Sequence, residues 1–186
     1  MAVTLTTRRF TVEEYHRMAA VGILTDGDRV ELIDGEIVEM TPIGFQHARC
    51  VIYLNEIFVL RLQGRAIVSP QGPLTIGGAT QLQPDLVLVR PPLVRIPSPS
   101  DALLVVEAAD TSLDRDRGVK LPLYAAAGVP EVWIVDFASE TVVVHRVPSS
   151  GGYRDVLRVP RGGSLSPAAF PDLTLGADEI LGPREA

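Results

Sequence analysis

Apolar residues recur along this chain with two periods, and the points where one gives way to the other predict its elements. Thr11-Val-Glu-Glu14 has the spacing of a capping box, so a short helix is expected to about Ala20, stopping at Gly22. Alternating positions from Arg29 to Met40 around Asp34-Gly35 predict a β-hairpin, because that dipeptide suits a tight turn with positive φ. Helical spacing returns through Val51, Leu54, Ile57, Phe58 and Leu62, which predicts the longest helix over Gln46–Leu62, with Gly64 as its stop.

Four short strands are expected next, at Arg65–Ser69, Pro73–Ile76, Leu86–Val89 and Ala102–Ala108. The run Leu103-Leu-Val-Val106 suits a strand buried on both faces. The proline-rich stretch 90–100 reads as a loop, and Gly77-Gly78 as a turn. A helix over Asp114–Ala127 should be interrupted near Pro122, whose ring meets the carbonyl of Gly118 and which donates no hydrogen bond. Strands at Glu131–Phe137, Thr141–Val147 and Tyr153–Val159 form a second hairpin with an added strand, and the tail from Arg161 offers turns and one weak strand. Strands dominate, with two substantial helices between them. The pattern predicts a mixed α/β fold in which helices flank a central mixed sheet, with an N-terminal β-hairpin.

A length of 186 residues suits one domain, 1–186, with a core that needs no staples. The single cysteine, Cys50, excludes an internal disulfide framework and reads as buried filler in the long helix. No run is long and apolar enough for a membrane span, and the first residues lack the pattern of a signal peptide, so a cytoplasmic protein with no membrane partner is expected. A net charge of −6 argues against a broad basic coat for nucleic acid. It leaves room for an enzyme that grips a phosphate locally and offsets its acids with a cation.

The basic residues are more telling. Sixteen of the 17 are arginine, and the one lysine, Lys120, lies 13 residues after Glu107. A planar guanidinium cannot replace a compact ammonium that must sit close to a reacting group. Asp85 opens the strand Leu86–Val89, and Glu107 closes the run that ends at Val106. A carboxylate at the end of an apolar strand is costly unless paired or bound to a cation. Two on neighbouring strands could share one divalent metal, with magnesium well suited, while a nearby ammonium meets charge developing on an attacked phosphate.

Gln83-Pro-Asp85, Val105-Val-Glu107, Asp114-Arg-Asp-Arg-Gly-Val-Lys120, Tyr124, Gly128 and Glu131-Val-Trp-Ile-Val-Asp136 occur in that order. Together with Thr11–Tyr15 and Glu31-Leu-Ile-Asp-Gly-Glu36, this arrangement resembles the Uma-type putative restriction endonuclease family of the PD-(D/E)XK nuclease superfamily. The resemblance implies a restriction-endonuclease-like core and a metal-dependent phosphodiesterase acting on DNA with Mg2+ or Mn2+. It implies that Asp85, Glu107 and the carbonyl of Ala108 hold the metal. The superfamily lysine usually stands two residues after the acid; here that position is Ala109, and Lys120 on the following helix would supply the ammonium instead.

Glu31 is a candidate outer acid, or else an exposed strand residue paired with Arg29. His47 resembles a family histidine near the site, or is a surface histidine at a helix start. Asp110 stands where the family more often has serine, and either adds charge to the site or begins a turn. Trp133 and Tyr124 read as core, and Asp136 as a strand end. Arg115 and Arg117 could contact phosphates, although the interleaved Asp114 and Asp116 equally suit a solvated helix start. His16 and His145 lack ligand-spaced partners. A catalytically inactive scaffold that binds nucleic acid or protein is the competing expectation, and a homodimer through the C-terminal hairpin edge would suit cutting of both strands of a duplex.

Overall fold

A computed structural model describes residues 7–25, 27–109 and 113–184. Thr11 caps α1 (Val12–Ala20) reciprocally: its hydroxyl accepts from the Glu14 amide at 3.2 Å, and the Glu14 carboxylate accepts from the Thr11 amide at 3.0 Å. β1 (Val30–Ile33) and β2 (Glu36–Glu39) pair antiparallel around Asp34 and Gly35, which have φ of 47° and 80°. The turn is clasped on both sides, because the Gly35 amide donates to the Ala79 carbonyl and its own carbonyl accepts from the Phe10 amide. A Cβ at position 35 would lie 2.5 Å from that of Arg9. Gly35→Ala is therefore expected to cost about 2 kcal/mol or more, from the left-handed φ and the clash together. Urea unfolding of the variant checks this; an unchanged midpoint would mean that the clasp yields to a methyl group without cost.

α2 (Phe45–Leu62) buries Cys50, Val51, Leu54, Phe58 and Leu62 and ends at Gln63 in the left-handed region. Burial pushes the Cys50 thiol up to about 12, as befits filler rather than a nucleophile. Then come β3 (Ile67–Pro70), β4 (Leu74–Ile76), β5 (Thr80–Leu82), β6 (Leu86–Val89) and β7 (Ala102–Ala109). The expected strand at Arg65–Ser69 starts later, at Ile67, because the Arg65 amide still donates to the Leu62 carbonyl in the turn that closes α2.

The helix expected over Asp114–Ala127 is three pieces: α3 (Leu113–Arg115), a π-helical turn (Asp116–Lys120) and α4 (Leu121–Ala126). Pro122 donates no hydrogen bond, and the turn before it widens so that the Leu121 amide reaches back to the Asp116 carbonyl. β8 (Glu131–Asp136), β9 (Thr141–Ser149) and β10 (Gly152–Pro160) follow. The tail departs from expectation: it forms the small pair β11 (Ser164–Leu165) and β12 (Leu175–Gly176), then α5 (Ala177–Leu181).

Six strands pair in the order β10-β9-β8-β7-β6-β3, all antiparallel except β7 with β8, so the main sheet is mixed as expected. The hairpin belongs to a second sheet, β2-β1-β5-β4. Side chains alternate across β7: Leu104, Val106 and Ala108 join the core with α2, while Val105 and Ala109 join the core with Tyr124 of α4 and Leu82 of β5. The main sheet is thus covered on one face by α2 and the tail. The crossover helix and the second sheet cover the other. Parallel pairing of β7 and β8 needs such a crossover, which carries Lys120.

Trp133 is buried against Phe58, ring centroids 6.3 Å apart, and Glu131 ties the tail to the sheet by accepting from Trp133, Arg146 and the Ala168 amide. On β9, His145 is buried beside Tyr153, and its Nε2 makes no hydrogen bond. Burial, with Arg117 and Arg158 nearby, lowers its pKa from 6.5 to about 4. A depressed histidine leaves stability intact above 6.5 and removes it as pH falls towards 4, by roughly 3 kcal/mol. In His145→Phe this acid loss should flatten, read as unfolding midpoints against pH; an unaltered slope would assign the loss to other groups.

Candidate active site

Two strands and one helix bring the acids together. Asp85 immediately precedes β6, which pairs antiparallel with β7 through Leu86 and Val106, so Asp85 falls beside the end of β7. Its Oδ2 accepts the Ala108 amide at 2.7 Å. Glu107 projects from β7 to the crossover side, where it meets Lys120 at 3.3 and 3.4 Å and accepts the Tyr124 hydroxyl at 2.6 Å. Glu31 reaches in from β1: its Oε1 lies 3.0 Å from Lys120 Nζ and accepts the Gln83 amide at 2.7 Å. These residues are nearly closed off, with Glu31 1%, Asp85 7%, Glu107 2% and Lys120 4% exposed.

Glu31 is therefore neither exposed nor paired with Arg29; it is a buried counterion of Lys120. His47, at the start of α2, lies with Nε2 2.9 Å from Asp85 Oδ1. It is half-buried, not a surface residue. Burial disfavours its charge, but Asp85 and the Ala108 carbonyl outweigh that and raise its pKa. Every expected site residue, Asp85, Glu107, Ala108, Lys120, Glu31 and His47, is thus gathered in one place. Asp110 lies outside the described residues.

The charge is unbalanced. Burial, and then the proximity of Asp85, Asp116 and Glu31, push Glu107 well above the usual carboxylate range despite Lys120. Burial alone would lower Lys120, but Glu107, Glu31 and Asp116 together raise it. Glu31 Oε2 is buried and accepts no hydrogen bond. Glu31, Glu107 and Asp116 about one ammonium, with Asp85 beside Glu107 and one buried Glu31 oxygen unsatisfied, leave negative charge that a hard divalent cation would offset. Among the described residues no three His, Cys, Asp or Glu side chains form a ligand cluster. The fit is accordingly to an ion that takes two carboxylates, one carbonyl and waters. The acids open on a small recess of about 20 Å³, lined by Arg29, His47, Asp85, Glu107, Arg115 and Lys120 among others. Such a space holds about one water or ion.

Two members were missed in the sequence. Asp116 is buried and lines the cavity, not solvated, and Tyr124 is core but also a donor to Glu107. Both stand four residues from Lys120, the spacing that shares a helix face, and that signal was available. Arg117 turns away to Asp136 at 2.8 Å, so of the two arginines only Arg115 lines the site.

A mixed sheet with flanking helices and a carboxylate cluster beside a lysine where two strands meet defines a nuclease-like fold. A putative nuclease of DUF820 from Anabaena variabilis superposes on it with a TM-score of 0.72, at 15% identity, covering 92% of this chain and 97% of that one. At that identity the likeness speaks for the fold. The Uma2 family, described as putative restriction endonuclease, matches residues 12–178, and the chain belongs to it. No curated protein matches the chain. No helix among the described residues is long and apolar enough to cross a membrane.

Proposed function

We propose that this protein hydrolyses phosphodiester bonds in DNA with a divalent metal, magnesium or manganese. One observation carries the reading: Glu31, Glu107 and Asp116 are buried about the chain's one lysine, with Asp85 buried beside Glu107, so that buried carboxylates outnumber the one buried ammonium. Asp85, Glu107 and the Ala108 carbonyl would hold the ion, which when bound would polarise the scissile phosphate and acidify a water. Glu31 holds Lys120 in place at 3.0 Å, and Tyr124 orients Glu107 at 2.6 Å. Lys120, kept protonated by its acidic neighbours, would offer fixed positive charge to the phosphate as it becomes more anionic in the transition state. The Asp85 side chain, pinned by the Ala108 amide and faced by His47, keeps one orientation towards the cavity.

The test is cutting of plasmid and single-stranded DNA in magnesium or manganese, beside Lys120→Met prepared identically. Metal-dependent cutting lost in the variant supports the reading. Equal cutting by both would mean a contaminant or a wrong role for Lys120. No cutting by either would favour a binding scaffold. For assembly, β10 is the edge strand of the main sheet, with Val156 and Leu157 each 50% exposed, and is the edge a second copy would use.

A further inference from the structure

We infer that the substrate enters this site as a single strand, gripped on either side of the scissile phosphate by Arg29 and Arg115. The inference rests on the nuclease reading above and adds the form of the substrate. The small site cavity does not stand alone. Through Arg29 and Met40 it adjoins a groove of about 740 Å³ that includes Tyr15, Gln71 and Gln83. Through Arg115 it adjoins another of about 320 Å³, beside Ile33, Val38 and Val119. The two outer cavities share no lining residue, so the site lies between them. Each falls in the range of about 300–1,000 Å³ typical of small-ligand pockets, enough for a base and its sugar.

The two arginines at these junctions are also available. Nine arginines among the described residues pair with carboxylates: Arg8, Arg9, Arg17, Arg65, Arg95, Arg117, Arg146, Arg161 and Arg184. Among the described residues Arg29 donates only to the Thr41 carbonyl and Arg115 has no hydrogen bond or ion pair, although both border a cavity rich in carboxylates. A guanidinium left unpaired beside such a cavity is ready for an anion that arrives with the substrate.

Depth and charge then decide between duplex and single strand. The carboxylates are at most 7% exposed, and a stiff duplex would have to bend or unstack to press a phosphate into so narrow a recess. Duplex-binding proteins commonly neutralise about 6–10 phosphates, for which a chain of net charge −6 with two free arginines at its site is poorly equipped. A single strand needs only a few phosphate contacts. It can splay one base into the larger groove, where the Tyr15 ring offers stacking and the Gln71 and Gln83 amides offer hydrogen bonds to a base edge.

The experiment measures fluorescence anisotropy of short labelled single-stranded DNA, single-stranded RNA and the matching DNA duplex, with the full chain and calcium in place of magnesium. Single strands should bind at least about tenfold tighter than duplex, and the DNA and RNA arms tell which sugar is accepted. Arg29→Ala and Arg115→Ala should each weaken binding about three- to tenfold and lower the salt slope by about one, while Arg154→Ala on β10 should change neither. Duplex binding equal to or tighter than single-strand binding, or full binding by both variants, would overturn the inference. If duplex plasmid is meanwhile cut in a metal-dependent way, the nuclease reading survives and only the single-strand assignment falls. If nothing is bound and nothing is cut, both fall.

Discussion

Lys120→Met is expected to reduce metal-dependent cutting by roughly a thousandfold and to destabilise the metal-free protein by about 3 kcal/mol. The second effect follows from burial. Glu31 lies 3.0 Å and Glu107 3.3 Å from the ammonium, all three closed off from solvent, so removing Lys120 strands two carboxylates where water cannot reach them. Breaking a buried pair from one side costs more than the pair contributes, because the surviving charge keeps its desolvation penalty. The lysine's pKa is raised on folding, so its contribution is complete below its unfolded value of 10.5 and is lost only as pH rises past the folded one. At neutral pH the loss should be full, shrinking in mild acid as the stranded carboxylates take up protons. Urea unfolding at both pH values reads this. A variant as stable as the parent at neutral pH would mean the lysine does not compensate these acids.

Glu107→Gln should move stability the other way. Folding raises the pKa of this carboxyl above 4.5, first by burial and then by its acidic neighbours. A carboxyl raised on folding favours the fold below its unfolded pKa and penalises it increasingly as pH climbs through the folded value. At neutral pH the metal-free parent carries that penalty. Glutamine keeps the shape and can still accept from Tyr124, so the variant should be more stable by about 1–2 kcal/mol while losing metal binding and cutting. Unfolding curves in chelator, taken from mild acid to mild base, should converge at the acid end and separate at the basic end. A less stable variant at neutral pH would show that the attraction to Lys120 outweighs desolvation, and would weaken the case for a site held ready for a cation.

Much of this was legible in the chain because it depends on local signals. The Thr11 box, the Asp34-Gly35 turn, the helical period of α2 and the continuous apolar run of β7 are each set within a few residues, and each appears where the pattern puts it. Gathering Asp85, Glu107 and Lys120 was also readable, through the order of motifs along the chain. What escaped depends on contacts between distant segments. β5 and α5 are three and five residues long, too short for a period to declare itself, and are held by pairing with β1 and by packing against α2. Glu31 could be read as an exposed strand residue because its neighbours in sequence say nothing of a lysine 89 positions later. Asp116 looked solvated because Asp114, Arg115, Asp116 and Arg117 alternate in charge, which masked its spacing of four from Lys120.

The scarcity of lysine has one more use. With the chain's sole ε-amine 4% exposed and salt-bridged, amine-reactive reagents meet no accessible lysine side chain while the protein is folded. Acylation of Lys120 is therefore a clock for the opening of this one place in the molecule. Its rate, followed by peptide mass mapping, reports how often the carboxylate cluster breathes, and a bound ion or oligonucleotide that closes the site should slow it without any need to observe a reaction.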